Sequence, residues 1–252
     1  MLACAAAALL GYVPQLWSQD TAPASPRDAA PIDITGNWVA IINEEWRWRM
    51  LTPPKGDTMS VQPLNDAGRA ETDRWDPASD GSCRAYGAGA LLRMPTRLQI
   101  EWADQTTLVL RADAGQQTRQ LRFAAPGPAA AGPRTLQGVS HAQWQYAMGT
   151  PRGRAAGGTF AQGGRDLGGS LVVTTTHLLA GWLRRNGVPY SDQTTLTEYF
   201  DRFPSPNGDE WLMVTTIVED PVYLNGPFVT SSHFKREPDD SKWNPSPCRA
   251  DL

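Results

Sequence analysis

The run VVTTTH, Val172 to His177, ends a β-branched stretch in an imidazole, the side chain that serves most often as a general base. Side chains of a strand alternate between faces, so His177 is expected to lie with Val173 and Thr175. A partner acid is available in TLTEYFDRF. There Glu198 shares a face with Leu196 and Phe200, and Asp201 shares the opposite face with Tyr199 and Phe203. Whichever face turns inward, one carboxylate lies among apolar groups. Burial raises the pKa of an unpaired carboxyl, and raised pKa values are what acid–base catalysis uses. The cations would come from EEWRWRM, Glu44 to Met50, which as a strand puts Trp46, Trp48 and Met50 on one side and Glu45, Arg47 and Arg49 on the other. Inward arginines read as an anion-binding site or an oxyanion partner, inward tryptophans as ordinary core. A plainer reading stands beside this one: Glu198 or Asp201 pairs with Arg47 or Arg49 as a structural ion pair, and His177 is satisfied by backbone or water.

Other chemistries find less support. The histidines are His141, His177 and His233, with none at i, i+2 or i, i+4, so no metal site is expected. The glycine-rich stretch from Gly149 to Gly169 lacks the Gly-Lys-Ser/Thr ending of a phosphate-binding loop and reads as a flexible loop. No Gly-x-Ser-x-Gly elbow occurs, and no cofactor is expected. With 19% charged residues and a net charge of −3, the basic footprint of a nucleic-acid binder is missing. The aromatic supply is large, and Trp46, Trp48, Tyr86, Trp102 and Tyr199 are candidates to line a ligand cavity, or equally plain core.

These residues need a frame to hold them. The opening MLACAAAALLGYV has the length of a signal-peptide apolar region, although no Lys or Arg precedes it, and it is too short to span a bilayer. Residues 1–19 are therefore expected to be a truncated signal, 20–31 a disordered Pro/Ala/Asp-rich linker, and 32–252 a single domain. Cys4 ends a lipobox-like MLAC, a weak pointer to lipidation. Export to the periplasm or medium leaves Cys83 and Cys248, which read as one disulfide or as two buried thiols.

Within the domain, DITGNWVAII, RLQIEW, TLVLRA, QTRQLRF, HAQWQYAM, SLVVTTTHLL, TTLTEYFDRF and EWLMVTTIVED all read as strands. Asn207-Gly208 marks a hairpin, and PLNDAGRAETDRWDP a helix capped by Asn65 or Asp66 and stopped near Trp75. The sum is an all-β fold: an antiparallel β-barrel of 8–10 strands with one or two short helices packed outside.

Gly36-Asn37-Trp38 resembles the Gly-x-Trp at the start of lipocalins, eight-stranded barrels around a ligand cavity. Residues 60–225 more broadly resemble a group of exported bacterial proteins of unassigned function, through the PLNDAGRAETDRWDP segment, a cysteine, GGSLVVTTTHL, LTEYFDRF and TIVEDPVYLNGPF. That resemblance implies an exported lipocalin-like barrel and no particular chemistry. Three functions are expected to compete: binding of a small, largely apolar ligand with an anionic or polar group, cofactor-free acid–base catalysis in the same cavity, or a filled barrel with a structural or interaction role. The partner is expected to be a small molecule, with no nucleic acid and no membrane span, and the sequence leaves the oligomeric state open.

Overall fold

Alternating apolar side chains build the wall of a closed barrel. The computed structural model describes residues 24–80, 83–123, 132–147 and 168–248. Nine strands close in the order β1 (Gly36–Ile41), β11 (Phe228–Glu237), β10 (Glu210–Glu219), β9 (Thr195–Pro204), β6 (Gly169–Thr176), β5 (Val139–Tyr146), β4 (Gln117–Arg122), β3 (Thr107–Ala112) and β2 (Arg97–Trp102). Two more, β7 (Gly181–Arg184) and β8 (Val188–Tyr190), form a separate small sheet. The expected signal, Cys4 and most of the glycine-rich loop lie outside the described residues.

The barrel is mixed, where a purely antiparallel one was expected. Strand β4 pairs with β5 in parallel, and only at Leu121 with Ser140 and Arg122 with His141. The two strands are separated in sequence by residues 123–138, a connection longer than a hairpin turn, as a parallel pair requires. Every other neighbouring pair of the barrel is antiparallel.

The inward faces carry Trp38, Leu98, Leu110, Leu121, Leu171, Phe200 and Phe234, which belong to one packed cluster and are all buried. Each such side chain contributes about 1.5–3 kcal/mol on leaving water. This half of the lumen is therefore packed with side chains, and the groove described below has no buried member of that cluster in its walls.

Residues 24–31, read from composition as linker, close one end of the barrel as an ordered strap. Trp144 Nε1 donates to the Pro26 carbonyl at 2.7 Å, and the Tyr146 hydroxyl to that of Ala29 at 3.0 Å. At the same end the rings of Trp102, Phe123 and Trp144 pack with centroids 5.2–6.5 Å apart.

The opposite end is capped by α1 (Trp46–Arg49), α2 (Asp66–Arg74), α3 (Ala88–Leu91) and the β7–β8 sheet. Helix α2 starts where its cap residue dictates: the Asn65 side chain accepts from the Gly68 amide at 2.9 Å. Val61, Leu64, Leu183, Val188 and Tyr190 of the cap join Leu196, Val218 and Phe228 of the wall in a second apolar cluster. Cys83 and Cys248 are bonded with Cα atoms 5.2 Å apart, tying the C-terminal tail to the cap.

Segment 44–50 is a helical turn, which corrects the strand reading. Strand β1 ends at Ile41, its last pair with His233. The Glu44 carboxylate then accepts from Ser231 Oγ at 2.8 and 2.9 Å, and Glu45, in the left-handed region at φ 48°, turns the chain into α1. Alternation is lost: Arg49 is buried while Arg47, Trp46 and Met50 face solvent.

Candidate functional site

Three buried arginines converge where α1 crosses the capped end. Residues 45 and 49 are four apart, so on a helical turn their side chains lie on one side. Arg49 Nε donates to the Arg93 carbonyl at 2.9 Å and Nη2 reaches Ser232 Oγ of β11 at 3.4 Å. Arg93, just after α3, donates to the Glu45 carboxylate. Arg184 of β7 donates to the same carboxylate at 3.2 Å and to Ser60 Oγ at 2.7 Å. Both Arg93 and Arg184 stand 5.6 Å from the centre of the Phe228 ring, near enough for a cation–π attraction.

The cluster is electrostatically crowded. Burial, joined by the neighbouring Arg93, holds the Arg49 guanidinium down at about 10 and that of Arg184 at about 9. Burial also lowers Arg93, partly offset by Glu45. For Glu45, burial pushes upward, but Arg93, Arg184 and Arg49 together outweigh it and hold the carboxyl below its usual 4.5. With Glu44 as the second carboxylate acting on Arg49 and Arg93, the group carries one more positive charge than negative. Arg49 Nη1 and Arg93 Nε are buried without a hydrogen-bond acceptor.

Beside this cluster lies a groove. Each of the three arginines is followed in the chain by a residue of its wall: Met50 after Arg49, Met94 after Arg93, Arg185 after Arg184. Tyr86, Leu51 and Pro247 add apolar surface, and the volume is about 540 Å3, the size of a small-molecule site. Arg185 Nη2 donates to the Tyr86 hydroxyl at 3.4 Å, while Arg185 Nε and Thr52 Oγ1 are buried without partners. A largely apolar wall that includes Arg185, with a cationic cluster beside it, suits an amphipathic anion.

The structure scatters the residues singled out by sequence. His177, at the exposed end of β6, bonds the Thr176 hydroxyl at 3.1 Å. Glu198 points into the lumen and pairs with Arg119 of β4, not with Arg47 or Arg49. Asp201 lies on the outer face and accepts from Ser170 Oγ at 2.5 Å. Tyr199 shares that outer face, Trp102 is at the strap end, Trp46 is exposed, and Trp48 donates to Asp57 at 3.3 Å. Of the five aromatic candidates, Tyr86 alone lines the groove. Arg49 is the one predicted cation inside the cluster.

Arg93, Arg119, Arg184 and Arg185 were not anticipated. Only Arg119 left a readable mark, since alternation in QTRQLRF sets it on the face of Leu121 and Phe123. Arg93 and Arg184 follow the apolar runs ALL and GWL, whose burial is a tertiary fact. Among the described residues no three His, Cys, Asp or Glu side chains are grouped to hold a metal, and no helix is long and apolar enough to cross a membrane.

Comparison of the chain with protein-family models, with curated proteins and with solved structures finds no match. The class that stands on the geometry is a closed nine-stranded β-barrel with a disulfide-tied cap.

Proposed function

We propose that the protein is an exported, lipocalin-like barrel that binds a small amphipathic ligand through an anionic group, in the capped-end groove rather than in the lumen. The observation that carries this reading is a largely apolar groove of about 540 Å3 whose wall includes Arg185 and the residue that follows each of the three buried arginines. The excess positive charge of the Arg49, Arg93 and Arg184 group adds attraction for an anion. Export is supported by the disulfide, which persists in oxidising compartments. Catalysis by His177, Glu198 and Asp201 has no such support, because their side chains sit at the exposed strand end, in the lumen and on the outer wall.

Calorimetric titration with sodium decanoate and with decanol tests it. Decanoate is expected to bind more tightly than decanol, and Arg185→Met to remove most of the difference. Equal affinity for the two amphiphiles, or decanoate binding indifferent to Arg185→Met, would discard the groove.

A further inference from the structure

Among the described residues seven large apolar side chains face solvent, and four of them, Trp46, Met50, Leu51 and Met59, fall in one segment at the capped end. The other exposed residues between 46 and 59 are Arg47, Pro54, Lys55 and Gly56. The exposed surface of the segment is thus apolar or cationic. Its one acid, Asp57, is partly buried and accepts from Trp48 Nε1 at 3.3 Å and from the Met59 amide at 3.2 Å. Bordering charges are engaged or balanced. Glu44 accepts from Ser231, Glu45 from Arg93 and Arg184, and of α2 Arg69 reaches Thr58 Oγ1 at 2.8 Å while Asp73 lies beside Gly56.

These side chains ride on one ordered platform. The Met50 amide donates to the Trp46 carbonyl at 2.9 Å, so Trp46 and Met50 stand a helical turn apart on one side of α1. Met50 and Leu51 line the same groove. The loop that carries Lys55 and Met59 is pinned beside α1: Asp57 holds Trp48, and the Arg184 guanidinium bonds both Ser60, next to Met59, and Glu45, next to Trp46, at 2.7 and 3.2 Å. Asn186 Nδ2 fixes the loop from behind, through the carbonyls of Pro54 at 2.9 Å and Asp57 at 2.8 Å.

The composition of this surface selects its cover. In a two-fold dimer the patch would meet itself and bring Arg47 and Lys55 toward like charges. A bilayer takes Trp, Met and Leu into its headgroup layer and sets phosphates against Arg and Lys. The chain as a whole carries a net charge of −3, so an anionic surface attracts this end and not the molecule at large. We propose that segment 46–59 docks the capped end on an anionic lipid surface, with its four large apolar side chains in the headgroup layer and Arg47 and Lys55 on the phosphates. The groove shares Met50 and Leu51 with this face, but docking does not depend on what the groove holds.

Cosedimentation of the full chain with sucrose-loaded vesicles at low salt tests this, using phosphatidylcholine alone and phosphatidylcholine with about one-third phosphatidylglycerol. Binding to the mixed vesicles is expected to be at least about tenfold tighter, since each cation near an anionic surface contributes about fivefold. Trp46→Ser/Met59→Ser and Arg47→Gln/Lys55→Gln are each expected to weaken it at least about tenfold. All four residues are exposed, so both variants are expected to melt as wild type does. Neither Trp46 nor Met59 lines the groove, so decanoate titration of that variant reads the groove separately. Three results overturn the proposal: no binding to the mixed vesicles, equal binding to the two vesicle types, or binding that either double variant leaves unchanged. Concentration-dependent dimers in analytical ultracentrifugation that Trp46→Ser/Met59→Ser abolishes would instead give the surface to a second copy.

Discussion

Arg119 of β4 and Glu198 of β9 form a two-pronged ion pair inside the barrel, Nη1 to Oε1 at 2.9 Å and Nη2 to Oε2 at 2.5 Å, with neither side chain exposed. The two strands are separated by β5 and β6, and the hydroxyls of Ser140 and Thr175, 2.8 Å apart, fill the interval beneath the guanidinium. The pair ties the weakly joined β4 to the antiparallel part of the barrel, which the two-position seam alone does poorly.

Removing one partner of this pair leaves the other charged and buried. Arg119→Met and Glu198→Gln are each expected to cost about 3–5 kcal/mol, and Arg119→Met/Glu198→Met to cost less than the sum of the two single losses. Urea unfolding at neutral pH measures this. Additive losses would mean that the contact does not couple the strands.

Glu45 makes stability pH-dependent on the acid side. Its carboxyl is held below 4.5 by Arg93, Arg184 and Arg49, against burial, so its folded pKa lies under the unfolded one. The stability it contributes is fully present above the unfolded value and is lost as pH falls through the folded one. The melting temperature of Glu45→Gln is expected below that of wild type at pH 7, with the gap narrowing as the pH falls below 4.5. A gap of constant size from neutral to acid pH would show that the charge of Glu45 is not what matters.

The meander β2–β4 was legible because three runs in succession alternate cleanly around short polar turns, and the Asn207-Gly208 hairpin because only a few residues fit that turn. Helix α2 announced itself through Asn65. EEWRWRM did not, since W-R-W-R alternation is equally compatible with a single helical turn, and the choice is made by Glu44 holding Ser231 and by Arg49 reaching the Arg93 carbonyl. Strand β11 and the β7–β8 sheet went unread among Pro, Gly and Ser-rich neighbours. Of the site, one arginine was anticipated. The others sit at the ends of apolar runs, and no local pattern says that three such ends meet.

The same cluster sets how the groove responds to charge and salt. Glu45→Gln removes a negative charge from beside the arginines, so decanoate affinity is expected to rise about two- to fivefold at low ionic strength even though the fold is weakened. Raising salt from about 0.01 to about 0.15 M shortens the screening length from about 30 to about 8 Å and is expected to remove most of that gain. Calorimetry at the two salt concentrations decides it. If Glu45→Gln binds decanoate more weakly than wild type at both, the cluster does not act on the groove through charge.

The disulfide links stability to the groove wall. Cys83 and Cys248 are 165 residues apart in sequence, and on the chain-entropy account cross-linking so long a loop restricts the unfolded chain by about 5 kcal/mol. The tail it anchors also supplies Ser246 and Pro247 to the groove, with the Ser246 amide donating to the Asp113 carbonyl at 3.0 Å. Cys83→Ser/Cys248→Ser is therefore expected to lower the unfolding free energy by that amount. It is also expected to weaken decanoate binding a few-fold at temperatures where circular dichroism still shows the intact barrel, because the wall must then be ordered by the ligand itself. An unchanged melting temperature in the variant would remove the stabilising role. Undiminished decanoate affinity would show that the tail stays in place without its tether.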